Sequence, residues 1–395
     1  MNPSSSHCDE ITGPALVLRR RTPSQLVYAP NYWQWFAHQR NHNRLPAELR
    51  SCGSQLEVIR HLGLAVFSRN VYCDQSRRWF GGLADEVWND SVRVTDGESV
   101  DGADRLFTRT VETSRGALTE RRRYVHAEST LVQEKFLVDD YAAQLDALAE
   151  VLAARRWCFN TERWRAAQAE AGDAGLVVAG ELHSPLKMLH LLLNPVETTY
   201  LLADYPERAD ELLRIHEAAQ LDLVRQMAAA GVPAMMSMDN LDTMFHPPHF
   251  LDRHCARYYE QASRICHEHG STFFIHACGQ QRENLARVAG LGVDGLEGVA
   301  FPPLGDVELD EAMRLTGDRF IITGGISALE FERLKTRDAV SAYVRELCLR
   351  MKPYAHRFML SASCNTPVTA SWEQIVWFRD AWLEYGDAGS EPLDP

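Results

Sequence analysis

From about residue 138 to the C-terminus, short apolar runs alternate with longer stretches of helical period, and this alternation limits the available folds more than any other property of the chain. The apolar runs fall at 176–179, 234–238, 272–275, 293–296, 320–323 and 358–360. Runs this short and this uniformly apolar suit strands buried on both faces of a parallel sheet. Between them the periodicity predicts helices over 139–154, 161–171, 206–230, 248–269, 283–289, 309–315, 328–334 and 338–351, with 372–384 closing the chain. Another strand is expected at 64–68, after a helix at 54–62. Regular βα alternation of this kind points to a (β/α)8 TIM-type barrel, an α/β fold, rather than an open doubly wound sheet. The eighth strand does not stand out. No glycine fingerprint for a dinucleotide or a P-loop follows any strand.

Two regions depart from the repeat. Residues 87–137 show period-2 stretches around the turn Ser114-Arg-Gly116, and read as a β-hairpin or meander inserted into the barrel. Near the N-terminus, residues 1–24 read as a flexible lead-in with a solvated Arg19-Arg20-Arg21 run. An N-terminal helical segment follows, in which Asn31 is expected to cap a helix carrying Trp33, Trp35 and Phe36. Those aromatic rings suit packing on the barrel better than a pocket for a flat ligand. The expected organisation is one barrel domain over 25–386, with a tail at 387–395.

Composition narrows the function classes. Hydrophobic residues make up 45% and charged residues 24% of the 395 positions, ordinary values for a globular protein. A formal charge of −13 argues against nucleic acid and against anionic membrane surfaces as partners. No run approaches the roughly 18 apolar residues that a membrane span needs, and the first residues lack the pattern of a signal peptide. A cytoplasmic location is expected. The 9 cysteines are scattered without framework spacing, which suits reduced thiols.

In a barrel of this type the reacting groups sit at the C-terminal ends of the strands. The run Ser271-Thr-Phe-Phe-Ile-His-Ala-Cys-Gly279 ends in His276 and Cys278, which face the same way on extended backbone. With 15 His and 9 Cys in the chain, about 0.3 His-x-Cys pairs are expected by chance, so the pair gains weight only from company. Glu297 and Cys364 supply it, at the ends of the strands at 293–296 and 358–360. Each alone reads more simply as a buried thiol, a satisfied histidine or a stray carboxylate. Together they offer nitrogen, sulfur and oxygen ligands to one ion, a set that zinc accepts. Asp239, with Asn240 and Asp242, ends another strand and is a candidate catalytic or substrate-binding carboxylate, a helix cap or turn being an equal alternative. His183 is a weaker candidate of the same kind. His246, His249, His254, His267 and His269 read as surface or packing residues.

The spacing His276-x-Cys278, then Glu297, then Cys364 resembles a barrel superfamily comprising the uroporphyrinogen decarboxylase-like methyltransferases and the catalytic barrel of cobalamin-independent methionine synthase. The surrounding text is similar to it too: Phe273-Phe-Ile-His-Ala-Cys-Gly279, Leu291-Gly-Val-Asp-Gly295, Gly324-Gly-Ile326 and Asp204-Tyr-Pro-Glu207. The similarity runs over residues 130–385 and is weak before that. It implies that His276, Cys278 and Cys364 bind zinc, with Glu297 a fourth, displaceable ligand. True uroporphyrinogen decarboxylases need no metal and carry an arginine-rich loop near the N-terminus. This chain has Asn31-Tyr-Trp-Gln-Trp-Phe36 there instead, so porphyrinogen decarboxylation is disfavoured.

Two thiolates cancel the charge of zinc and leave a weak Lewis acid, poor at activating water and good at keeping a bound sulfur anionic. The resemblance thus implies methyl transfer between a small-molecule substrate, a thiol or a methyl ether, and a corrinoid protein or a folate cofactor. The corrinoid-binding signature Asp-x-His-x-x-Gly is broken in Asp252-Arg-His-Cys-Ala-Arg257, so any corrinoid is expected on a separate partner protein. Two alternatives stay open: a metal-free decarboxylase or lyase using Asp239, and a non-catalytic subunit with a structural zinc. The oligomeric state is open as well, a homodimer included.

Overall fold

The computed structural model describes residues 12–70 and 82–389. At its centre is a ring of parallel strands: β1 (Val27–Tyr28), β2 (Val66–Ser68), β3 (Gly175–Val177, resuming as Ala179–Leu182), β4 (Ala234–Ser237), β5 (Thr272–His276), β6 (Gly295–Val299), β7 (Ile321–Ile326) and β8 (Phe358–Ala362). One sheet runs in the order β1-β8-β7-β6-β5-β4-β3, and β2 pairs in parallel with the first half of β3. A 3.0 Å bond from the Ala65 N–H to the Tyr28 carbonyl joins β2 to β1 and closes the barrel. A second bond, Val178 N–H to Ser68 carbonyl at 2.8 Å, carries the β2–β3 ladder across the break in β3.

The strand that periodicity does not reveal is β1. It is 2 residues long, too short to show a period. Its identity comes from its neighbours, Val27 pairing with Met359 and Tyr28 with Leu360. β6 and β7 also run further than their apolar residues suggest. Glu297 lies inside β6 rather than at its end, and β7 continues through Gly324 and Gly325 to Ile326. A polar residue or a glycine ends an apolar run in the sequence without ending the hydrogen-bond ladder.

Two cores result. The larger lies between the strands and the helices, and the smaller fills the barrel with Val27, Phe67, Val178, Met236, Phe274 and Met359. Phe67 and Phe274 meet edge-on at 5.3 Å. Each such side chain contributes about 1.5–3 kcal/mol by leaving water. Val17, from the helix Gly13–Leu18, joins this inner core, and Arg20 pairs with Asp294 at 3.0 Å where β6 begins. The segment expected to be a flexible lead-in is therefore in part a plug for the barrel. Residues 1–11 and 390–395 lie outside the described residues.

Residues 93–135 form the antiparallel meander Arg93–Asp101, Asp104–Thr113, Gly116–Val125 and Thr130–Lys135, as the period-2 pattern predicts. Asn41 ties it to the barrel through the Tyr124 hydroxyl at 2.6 Å. A separate ribbon, Ala84–Trp88 against Arg155–Phe159, is not apparent in the sequence. Two expected helix caps also differ. Asn160, not Thr161, caps Thr161–Ala171 by accepting the Arg163 N–H at 2.9 Å. Tyr32 stands at the start of Trp33–Asn41 without a side-chain cap bond, and Asn31 is used elsewhere. Trp35 and Phe36 are buried, as packing residues should be. Among the described residues, no helix is long and apolar enough to cross a membrane.

Candidate metal centre

β5 delivers His276 as its last residue and Cys278 two residues on, while the loop after β8 delivers Cys364. The ligand-type atoms of the three lie within 4.8 Å of one another. His276 Nε2 is 3.1 Å from Cys278 Sγ and 3.6 Å from Cys364 Sγ. Ligands at about 2.0–2.3 Å from a tetrahedral zinc stand roughly 3.3–3.8 Å apart, and the two imidazole-to-sulfur distances fall in or just below that range. His276 is buried, and both cysteines are half-buried.

Glu297 is placed differently from the expectation. Its register partner is His276, and its Oε2 meets His276 Nδ1, the ring nitrogen that faces away from the thiols. The same oxygen accepts from Arg69 Nε at 3.0 Å. In this geometry Glu297 is not a corner of the cluster. It holds the imidazole so that Nε2 points at the two sulfurs, an arrangement typical of carboxylates behind metal-ligating histidines. The cause is the register: cross-strand pairing with β5 puts Glu297 beside the His276 ring instead of beyond it.

Arg69 is one of several site residues that the sequence does not announce. It follows β2 directly, is 5% exposed, and gives its Nη1 to Asn70 Oδ1 at 2.7 Å. Asn31, just past β1, donates from Nδ2 to the Cys364 carbonyl at 3.2 Å and to Asn365 Oδ1 at 2.8 Å. The Thr366 N–H returns to the Asn31 carbonyl at 3.0 Å. A hydrogen-bonded chain thus runs from His276 through Glu297, Arg69 and Asn70 to Asn31 and the Cys364 loop. The signal that could have found Arg69 and Asn31 was position alone, since both stand at C-terminal strand ends.

Electrostatics follow from this crowding. Burial by itself would push the Glu297 carboxyl up, but the Arg69 and His276 charges outweigh it and hold the group ionised below its ordinary range. The two cysteines compete for one proton. The bond from Cys278, with His276 and Arg69 nearby, holds Cys364 well down, while Cys364 and burial push Cys278 well up.

Asp239 does not join the trio. It is fully buried, and its oxygens accept the Ser184 N–H at 2.8 Å and the Tyr259 hydroxyl at 2.6 Å. Burial raises its carboxyl above the ordinary range. It anchors the start of the helix Pro185–Leu193 through the Ser184 N–H. Asp242 accepts the Met244 N–H at 2.8 Å and the Gln280 N–H at 3.2 Å, bracing the loop after Cys278. Asn240 takes a left-handed turn at φ 49°. His183, His246 and His254 are buried among packing groups.

Comparison with known proteins bears on the fold and the family. A search of curated proteins returns no match. Among solved structures, a methyltransferase from Methanosarcina mazei superposes with a TM-score of 0.57 at 13% identity, covering 95% of this chain and 99% of that one. D-Psicose 3-epimerase from Clostridium cellulolyticum H10 aligns at TM-score 0.35 and 9% identity, over 65% of this chain and 96% of that one. At these identities the first likeness speaks for the fold alone. The family model of uroporphyrinogen decarboxylase (URO-D) matches residues 141–385, more than half of the sequence. By that match, and in keeping with the barrel that carries it, the chain belongs to the uroporphyrinogen decarboxylase family.

Proposed function

We propose that this protein is a zinc-dependent methyltransferase acting on a small molecule that carries a thiol or a methylated heteroatom. The observation that carries the reading is the donor set, one imidazole and two thiols whose ligand atoms lie within 4.8 Å of one another. Zinc, when bound there, supplies a soft Lewis acid that keeps a substrate sulfur deprotonated. Everything else falls to residues of the chain. Glu297 fixes the tautomer of His276 by taking Nδ1, and Arg69 fixes Glu297. Two thiolates and one carboxylate would face zinc and one guanidinium, so the buried charges balance. Asn31 holds the backbone of Cys364 and thereby the distance between the sulfurs.

A corrinoid on a separate protein, or a methylated folate, is the proposed methyl partner, and the cytoplasm the proposed setting. The fold shared with a methyltransferase is in keeping with this class of reaction. The metal-free lyase reading is weakened because both oxygens of Asp239 are already engaged. A purely structural zinc would be enclosed by four firm ligands, whereas three such groups meet here among the described residues.

Metal analysis of protein purified without chelator tests the proposal, the expected result being about one zinc per chain. Cobalt-substituted protein should then change its visible spectrum on adding a small thiol. A protein free of zinc would reject the reading, and a cobalt site indifferent to thiols would return it to a structural role.

A further inference from the structure

Three imidazoles stand in a row where the N-terminal helix meets the inserted meander. His38 and His42 are four residues apart at the end of the helix Trp33–Asn41, on one face, with ring centroids 4.4 Å apart. His126, in the turn between the meander strands Gly116–Val125 and Thr130–Lys135, has its ring 5.1 Å from that of His42. His38 is 9% exposed, and its Nδ1 has no hydrogen-bond partner among the described residues. The same holds for the buried Nε2 of His42. The Asn41 amide pins the joint, donating to the Tyr124 hydroxyl at 2.6 Å and to Ser129 Oγ at 3.2 Å.

Beside the row is a cavity of about 490 Å³, walled by Gln34, His38 and Arg44, by Glu128 and Thr130 of the meander, and by Val368 of the loop after β8. That loop carries Cys364. It is tied to the same helix by Gln39 Nε2, which donates to the Val368 carbonyl at 3.0 Å, and by Trp33 Nε1, which donates to Asn365 Oδ1.

Such a row packs well only while its rings are neutral. A proton on His38 would face the charges of His42 and Arg44 from its own segment and of His126 from the meander. Burial, then those three groups, holds the His38 pKa below its ordinary value. Arg40 is turned away, to the Gly53 carbonyl at 3.2 Å. On the meander, Asp104 accepts the His126 N–H at 3.0 Å and pairs with Arg123 at 3.3 Å, while Glu128 stands on the cavity wall. On the β8 side, Glu332 is held by the Thr369 hydroxyl at 2.9 Å and by Lys335 at 3.3 Å. A histidine whose pKa is depressed by docking binds its proton better once undocked. The docked joint is therefore most stable above the ordinary histidine pKa of about 6.5, and loses that stability as pH falls below it.

We propose that His38, His42 and His126 form an acid-sensitive latch between the helix and the meander. Protonation of the row repels the turn at 126–130 from the helix, breaks the Asn41 bonds and opens the cavity beside the Cys364 loop. The latch acts through charge at the joint and needs no metal.

Hydrogen exchange read by mass spectrometry tests this on the full chain, with rates corrected for the intrinsic effect of pH. Between pH 7.5 and pH 5.5, peptides covering 33–44 and 116–135 should lose about tenfold in protection, the factor carried by a one-unit pKa difference at one histidine. The helix Arg337–Met351, remote in sequence from the joint, should keep its protection. Arg44→Gln removes an exposed cation that faces the row and should move the opening to lower pH. His38→Gln combined with His42→Gln should remove most of the pH response. Protection independent of pH, an equal loss in Arg337–Met351, or a response kept by the double variant would overturn the latch. So would an opening whose midpoint Arg44→Gln leaves in place, a result that can be read even if the double variant does not fold.

Discussion

Gly298 has φ at 93°, and a Cβ there would lie 2.5 Å from the Ala277 carbonyl oxygen, 2.6 Å from that of Ser363 and 3.1 Å from His276 Cε1. Neither backbone oxygen can yield without moving a cysteine-bearing segment. Gly298→Ala should therefore cost about 2 kcal/mol or more and lower bound metal, as read by thermal melts and metal analysis of one preparation. The residues of the trio make a sharper pair of predictions. Cys278→Ser and Cys364→Ser should abolish zinc retention on dialysis while far-UV circular dichroism stays unchanged. Glu297→Gln should keep about one zinc per chain but weaken its affinity roughly 10–100-fold, as expected for a residue behind the ligands. Loss as complete as in the cysteine variants would return Glu297 to the coordination sphere.

At the scale of elements, the helix Pro185–Leu193 packs its apolar face into the main core, and one carboxylate ties its start to the barrel. Ser184 caps the helix by accepting the Lys187 N–H at 3.2 Å, and Asp239 accepts the N–H of Ser184 itself. Asp239→Asn leaves an acceptor in place but exchanges one charged oxygen for a donor that faces Ser184 N–H or the Tyr259 hydroxyl. Stability should fall by about 1–3 kcal/mol, measured by denaturant titration, with zinc content unchanged. Unchanged stability together with lost activity would instead support a catalytic role for Asp239. Most of the helices were legible at this scale because 3.6-residue periodicity is a local property, but Pro185–Leu193 and Pro195–Asp204 were not among those expected. The ribbon Ala84–Trp88 with Arg155–Phe159 was not, because neither half has a companion nearby in sequence.

The whole barrel closes only when the short β1 docks between β2 and β8, and the same docking brings Asn31 to the Cys364 loop. Metal binding and global stability should therefore be linked. Zinc at one hundred times its dissociation constant stabilises the native state by about 2.7 kcal/mol, so chelation should lower the melting temperature in the wild type but not in Cys364→Ser. The link has a definite pH sign. Protons compete with the metal for two thiolates and an imidazole, so affinity falls as pH falls. The melting-temperature gap between zinc-loaded and chelated protein should shrink from pH 8 to pH 5, and a gap independent of pH would speak against thiolate ligation.

The sequence by itself determined the repeat of strands and helices, the inserted meander and the identity of His276, Cys278 and Cys364, because those depend on local period and on residue type at strand ends. Only the tertiary structure decided what surrounds them. The register of β5 against β6 turned Glu297 from an expected ligand into the partner of the far ring nitrogen. The closure of the barrel brought Arg69 and Asn31 to the site across more than two hundred residues of chain. Which atoms face one another across a closed sheet depends on ladder register and twist, and no period within a single strand encodes either.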